Sequence, residues 1–246
     1  MWVRRPLPVL LAPLALALVA APPAVTASGV PASARSRAVV QRVAPTLRAE
    51  LEARGLRLGA PVFLRVFKEE RELEVWLGHP DGRHRLLETH PICAVSGELG
   101  PKLAEGDGQA PEGFYAVRAG QLNPRSRFHL ALNLGFPNAY DRAHDRTGSF
   151  LMIHGACASR GCYAMTDPTI ERVWVLVDAA LRAGQRAVPV HAFPFRMSDA
   201  RLEAAEGQRW HRFWAEELRP VFDAFERTRV PPRVRVRGDR YVLASR

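Results

Sequence analysis

The stretch Ile153-His154-Gly155-Ala156-Cys157-Ala158-Ser159-Arg160-Gly161-Cys162-Tyr163 concentrates the reactive side chains of a 246-residue chain. Before it, residues 149–153 are largely apolar and read as a buried strand ending at His154. After it, Asp167 and Pro168 read as the N-cap and first position of a helix. A loop held between two regular elements suits reactive groups that must be both exposed and fixed. A thiol attacks a carbonyl carbon only as thiolate, so near neutral pH it needs a base or positive surroundings. His154 is the nearest candidate base to Cys162, and Arg160 adds positive potential beside it. Gly155 and Gly161 permit tight bends, and amides around Gly161 and Cys162 can point at a developing oxyanion. Three plainer readings stand beside the nucleophile. Cys162 can be an inert buried thiol. Cys157 and Cys162 can pair with each other and leave Cys93 free. His154, Cys157 and Cys162, with His144, can bind zinc.

Working outward, strand patterns dominate the middle of the chain. Residues 62–67 and 72–77 flank the charged turn Lys68-Glu69-Glu70-Arg71 and predict a hairpin. Residues 84–89, 92–95 and 113–118 are further strands, and Phe128, Leu130, Leu132 and Leu134 alternate as in a half-buried one. Residues 97–111 and 135–148 read as long loops. Behind the cysteine segment, Ile170, Val173, Trp174, Val177 and Leu181 form one helical face, Gly184 ends it, and residues 187–192 make another strand. Helical spacing appears at both ends. Residues 35–54 carry Val39, Val40, Val43, Leu47 and Leu51, with Pro45 expected to kink or divide the helix and Gly55 to stop it. Trp210, Phe213, Trp214 and Leu218 form an aromatic stripe that reads as core, interrupted at Pro220. The final alternation of Arg233, Arg235 and Arg237 with Val234 and Val236 is an edge strand or a tail. The fold class is therefore mainly β with α additions, an α+β fold.

The first residues are a targeting signal rather than part of that fold. Arg4 and Arg5 precede a short apolar run from about residue 9 to 21, and Val25-Thr26-Ala27 suits cleavage after Ala27. The run is short for a membrane span and broken by prolines, so a cleaved signal is preferred to a retained anchor. The expected organisation is a signal peptide at 1–27, a helical segment at 28–60, a catalytic domain at 61–197 and a helical extension with a basic tail at 198–246. The formal charge of +10 falls to +8 without Arg4 and Arg5. An exported basic protein is drawn to an anionic wall or lipid surface rather than to nucleic acid. Three cysteines in such a chain leave at least one thiol free or paired with another molecule, and a free thiol retained in an oxidising compartment points to a working one.

The run IHGACASRGCYAMTD resembles the signature of the L,D-transpeptidase catalytic domain, the YkuD family. The family's His-Gly and Ser-x-Gly-Cys correspond to His154-Gly155 and Ser159-Arg160-Gly161-Cys162. The phrases PICAVSGELGPK, EGDGQAPEGFYAV, LNPRSRFHLALNLGFPNAYDRAH and VHAFPFRM are similar to its YafK-like branch, so the resemblance runs from about Val62 to Met197. It implies a β-sandwich-like catalytic domain with the cysteine at the mouth of a cleft. It also implies a periplasmic enzyme of cell-wall biogenesis. Such an enzyme acylates its thiol with a peptidoglycan stem-peptide carbonyl and passes the acyl group to an amine, with no cofactor or metal.

Carried over by position, Cys162 is the nucleophile and His154 the base. Gly155 supports that histidine through a neighbouring carbonyl, and Ser159 and Gly161 shape the cysteine loop and oxyanion site. If Cys162 stays free, Cys93 and Cys157 become the natural disulfide pair. Arg160, Tyr163, Glu112 and Tyr140 are expected along the substrate cleft. Arg160 stands where the main family has His, and Tyr163-Ala164 where it usually has Arg. These departures touch the acceptor side. They leave hydrolysis of a stem-peptide or peptidoglycan–lipoprotein linkage as the nearest alternative, with a non-catalytic wall-binding module as a second.

Overall fold

The computed structural model describes residues 1–2 and 29–244, so the expected signal peptide lies outside the described residues save for Met1 and Trp2. Helix α1 (Ala34–Glu52) opens on Ser33, whose hydroxyl takes the Ser36 amide in a reciprocal capping box. It runs unbroken through Pro45, contrary to the expected division. Then follow β1 (Val62–Phe67), β2 (Glu72–Gly78), β3 (His84–Pro91), β4 (Ala94–Val95), β5 (Gly113–Val117), β6 (Leu122–Asn123) and β7 (Ala131–Asn133). A short α2 (Ala139–Ala143) precedes β8 (Met152–His154) and β9 (Tyr163–Ala164). After these come α3 (Asp167–Arg182), β10 (Val188–Phe193), α4 (Asp199–Glu203), a π-helical turn at Phe213–Leu218, α5 (Arg219–Thr228), and β11 (Val234–Arg237) with β12 (Arg240–Leu243).

The strands form two five-stranded sheets, ordered β3-β2-β1-β10-β5 and β4-β9-β8-β7-β6, plus the β11-β12 hairpin. The first is mixed, since β10 runs parallel to β1 while the other pairs are antiparallel. Val62, Leu64 and Val66 of β1, with Val188 and Val190 of β10, enter a core shared with α1, α3 and the second sheet. Strand side chains alternate faces, so Phe63, Arg65 and Phe67 point the other way. There they are covered by the C-terminal segment, including Phe225 of α5. Every residue of β1 is buried for this reason. The covered face even holds Arg65, 2% exposed, paired with Glu74 at 3.1 Å and Glu226 at 2.6 Å and lying over the Phe67 and Phe225 rings.

Three expectations shift in detail. The alternating stretch 128–134 yields only β7, because His129 adopts a left-handed φ of 64° that breaks the strand. Thr166, not Asp167, caps α3, its hydroxyl receiving the Thr169 amide. The aromatic stripe is core as expected, with Phe213, Trp214 and Leu218 buried, and the helical path runs on through Pro220, which sits in the first turn of α5 directly after the π-helical turn. The basic C-terminus is a hairpin strand, with Arg235 and Arg237 on its exposed face.

Candidate active site

The cysteine segment joins two neighbouring strands. β8 and β9 are parallel, with Ile153 opposite Tyr163 and His154 opposite Ala164. Because side chains alternate, Cys162, one residue before Tyr163, shares its face of the sheet with His154. Tyr163 points to the opposite face, where it is fully buried and donates its hydroxyl to the Pro111 carbonyl.

The loop between the strands is fixed at both ends. At its start, the Gly155 amide donates to the Phe128 and Leu130 carbonyls, Ala156 N to Asp167 Oδ1 at 2.8 Å, and Cys157 N to the Met165 carbonyl at 3.2 Å. Ala156 and Cys157 hold left-handed φ values of 66° and 47°. Cys157 is bonded to Cys93, just ahead of β4, with a Cα–Cα distance of 5.3 Å, and Cys162 is the free thiol. The disulfide removes Cys157 from any zinc set and from a pairing with Cys162. At the loop's end, Ser159 Oγ donates to the Cys162 carbonyl at 2.6 Å and accepts the Cys162 amide at 3.0 Å. The Gly161 amide donates to Ser96 Oγ at 2.5 Å. Both amides expected to face an oxyanion are thus occupied by serine hydroxyls in this structure, and their visible task is to shape the loop. Gly161 has φ +89°, and a Cβ there would lie 3.3 Å from the Gln109 carbonyl, so only glycine fits beside the 97–111 loop without strain.

His154 is 2% exposed and tilts against the Phe128 ring at a centroid distance of 4.7 Å. Its Nδ1 lies 2.6 Å from the Gly155 carbonyl. A carbonyl only accepts, so Nδ1 carries the proton and Nε2 is left with its lone pair. Burial pushes the imidazole below its ordinary value, against the opposing Gly155 hydrogen bond. Burial pushes the Cys162 thiol up, opposed by the Met152 amide and the Lys102 ammonium. Each shift favours the neutral form of its own group, which disfavours a preformed thiolate–imidazolium pair. In this state the thiol faces the Phe150 carbonyl at 3.7 Å. Phe150 is itself strained, with φ 54° and 70% exposure.

Several residues near the thiol carry no motif. Lys102, rather than the exposed Arg160, is the cation that acts on Cys162. Lys102 Nζ is held by Asp107 Oδ1 at 2.5 Å and the Ala104 carbonyl at 2.7 Å. Asp107 also accepts the amides of Leu103, Ala104 and Gln109, which knots the loop. Buried Lys68 bonds the carbonyls of Glu98, Gly100 and Ala110 and pairs with Glu112 at 3.0 Å. Burial pushes that ammonium down, with Glu112 opposing. Glu112, expected on the cleft wall, is fully buried and also accepts the Trp214 indole and the Gly100 amide. Tyr140, likewise expected there, is interior, stacked on Tyr241 at 4.0 Å. The structure therefore sets Cys162, Ser159 and Gly161 on one hydrogen-bonded loop and His154 with Gly155 at the end of the neighbouring strand, keeps Arg160 on the exposed loop, and gives Glu112, Tyr140 and Tyr163 to the core.

The family described as L,D-transpeptidase catalytic domain (YkuD) matches residues 63–194. The Escherichia coli (strain K12) protein named "Putative L,D-transpeptidase YafK" is 47% identical over 188 residues, covering 76% of each chain. Two crystal structures of the helical cell shape determining protein Pgp2 from Campylobacter jejuni also match, each with a TM-score of 0.43. A mutant form is 22% identical over 59% of this chain and only 53% of that one, and the other is 18% identical over 76% and 79%. By the family match across more than half its length and its identity to a curated relative, the chain belongs to the L,D-transpeptidase catalytic domain family.

Proposed function

We propose that this protein is an exported, periplasmic cysteine enzyme of L,D-transpeptidase type, acting on peptidoglycan stem peptides with Cys162 as nucleophile and His154 as base. The observation that carries this reading is a single free thiol sharing a sheet face with a histidine whose Nδ1–H is committed to the Gly155 carbonyl. On this reading the thiol leaves the Phe150 carbonyl for His154 Nε2 when substrate enters. Its proton passes to Nε2 as sulfur attacks the stem-peptide carbonyl. Collapse of the tetrahedral intermediate breaks the peptide bond, and the departing amine takes the proton from Nε2. A thioester on Cys162 remains. An acceptor amine then attacks it, giving its proton to Nε2, and the thiol is regenerated. If water reaches the thioester first, the same steps hydrolyse a stem-peptide or peptidoglycan–lipoprotein linkage.

The test is incubation of the enzyme and its Cys162→Ala variant with purified peptidoglycan, read by intact-protein and fragment mass spectrometry. A hydroxylamine-labile adduct on Cys162 and new crosslinks are expected. Shortened stems or a released protein without crosslinks would assign the hydrolase. Full activity in Cys162→Ala would sink the thiol mechanism altogether.

A further inference from the structure

Away from Cys162, a groove of about 770 Å³ runs between β5 and the C-terminal β11-β12 hairpin. Its rim carries Arg118, Arg142, Arg233 and Arg235, all exposed, and among the described residues no Asp or Glu lines it. None of these four makes an ion pair among the described residues, whereas Arg146, Arg219 and Arg240 nearby are all paired. The floor is apolar and aromatic, including Phe114, Pro189 and Tyr241. His191 also lines it, 3% exposed, with Nδ1 buried and without a hydrogen-bond partner. Burial and the nearby Arg65 push that imidazole down to about 3, so it stays neutral and keeps one N–H to donate.

The groove also exposes strand edges. β5 is the last strand of its sheet. The Phe114 amide and carbonyl point away from β10, meeting the Tyr241 hydroxyl and the Asn138 amide. The two-residue period turns the backbone groups of Ala116 the same way. Among the described residues β11 pairs only with β12. The Arg233 carbonyl accepts the Ala244 amide across that hairpin, so the backbone groups of Val234 and Val236 face outward. An unpaired strand edge can take an extended chain by strand addition, and the rim charge here selects for a chain of opposite sign rather than for a like copy.

We infer that this groove binds an extended acidic peptide, its backbone paired to the outward groups of Ala116 on β5 and of Val234 and Val236 on β11 and its carboxylates held by Arg118, Arg142, Arg233 and Arg235. The volume suits a short segment. The chain's own residues 3–28 carry Arg4 and Arg5 and no acidic side chain, so they do not complement the rim. The site is independent of the Cys162 chemistry.

The test uses the mature chain and a fluorescein-labelled hexapeptide of alternating Glu and Val, read by anisotropy. Micromolar binding that weakens at high salt is expected, with at least a tenfold loss in the charge reversal Arg118→Glu/Arg235→Glu. Both positions are exposed, and circular dichroism checks that the variant stays folded. The same peptide N-methylated at alternate residues should bind at least tenfold more weakly. Three results would overturn the inference: undiminished affinity in the folded reversal variant, equal binding of the N-methylated peptide, or equal binding of a polyphosphate chain of the same charge. Self-association of the chain through this face, seen by sedimentation and abolished by the reversal, would overturn it as well.

Discussion

Replacing Gly155 with alanine tests how tightly the histidine's support is built. An added Cβ would lie 2.5 Å from Asp167 Oδ1, 3.0 Å from His129 Cβ and 3.0 Å from Ile170 Cγ2. Non-bonded carbon atoms prefer about 3.5–4.0 Å, so the new methyl must gain roughly 0.5–1 Å of clearance. None of the neighbours yields cheaply. The Asp167 carboxylate holds the Ala156 amide at 2.8 Å. His129 Nε2 is 2.9 Å from Glu171, which is itself paired with Arg42 at 2.7 Å. Ile170 is wholly buried. The backbone of Gly155 must therefore shift, and with it the carbonyl that receives His154 Nδ1–H. Overpacking of this kind costs about 1–3 kcal/mol of stability. A reacting group misplaced by about 1 Å costs on the order of 100-fold in rate. Urea denaturation gives the first quantity, the rate of Cys162 acylation by a stem peptide the second, and ¹⁵N chemical shifts of His154 report its tautomer. Gly120→Ala is the control, because a Cβ there meets nothing within 4 Å. If Gly155→Ala stays within about 0.5 kcal/mol of the parent and His154 keeps its Nδ1–H, the account of the support is wrong.

Other outcomes follow from the same contacts. In the proposed mechanism acylation needs neutral His154, whose pKa burial lowers, so the rate should hold as pH falls to 6.5 and decline only below it; an acid limb above pH 7 would contradict the assignment. His84 and His191 are pushed down by burial to about 4 and about 3. Unfolded histidines bind protons below about pH 6.5 while these stay neutral, so stability should fall as pH drops from there toward 3; flat urea midpoints across that window would refute this. Lys68→Met removes the donor to three carbonyls and strands Glu112, and should cost about 3–5 kcal/mol, with Lys68→Met/Glu112→Leu recovering part of it by urea denaturation; a loss below about 1 kcal/mol would show that the ion pair does not hold the loop. Cys93→Ser opens a crosslink spanning 64 residues and should destabilise by about 4 kcal/mol in the loop-entropy account; an unchanged denaturation midpoint would argue that the crosslink does not constrain the unfolded chain.

The sequence determined the β1-β2 hairpin of the first sheet, the amphipathic face of α3 and the reactive loop, because those signals are local: apolar runs flanking a charged turn, one helical face and adjacent reactive residues. It also placed His154 and Cys162 within one segment, close enough to be read as a pair. Tertiary structure decided which cation's charge opposes the upward push on the thiol, since Lys102 is 60 residues from Cys162 in the chain and lies on the loop that Lys68 and Asp107 tie. It likewise decided that Glu112, Tyr140 and Tyr163 are interior. A polar or aromatic residue in a loop-like stretch looks exposed until its distant partners, here Lys68, Tyr241 and the Pro111 carbonyl, close over it. The face of the sheet that Cys162 shares with His154 was settled last, by a parallel register between two very short strands that no sequence period could fix.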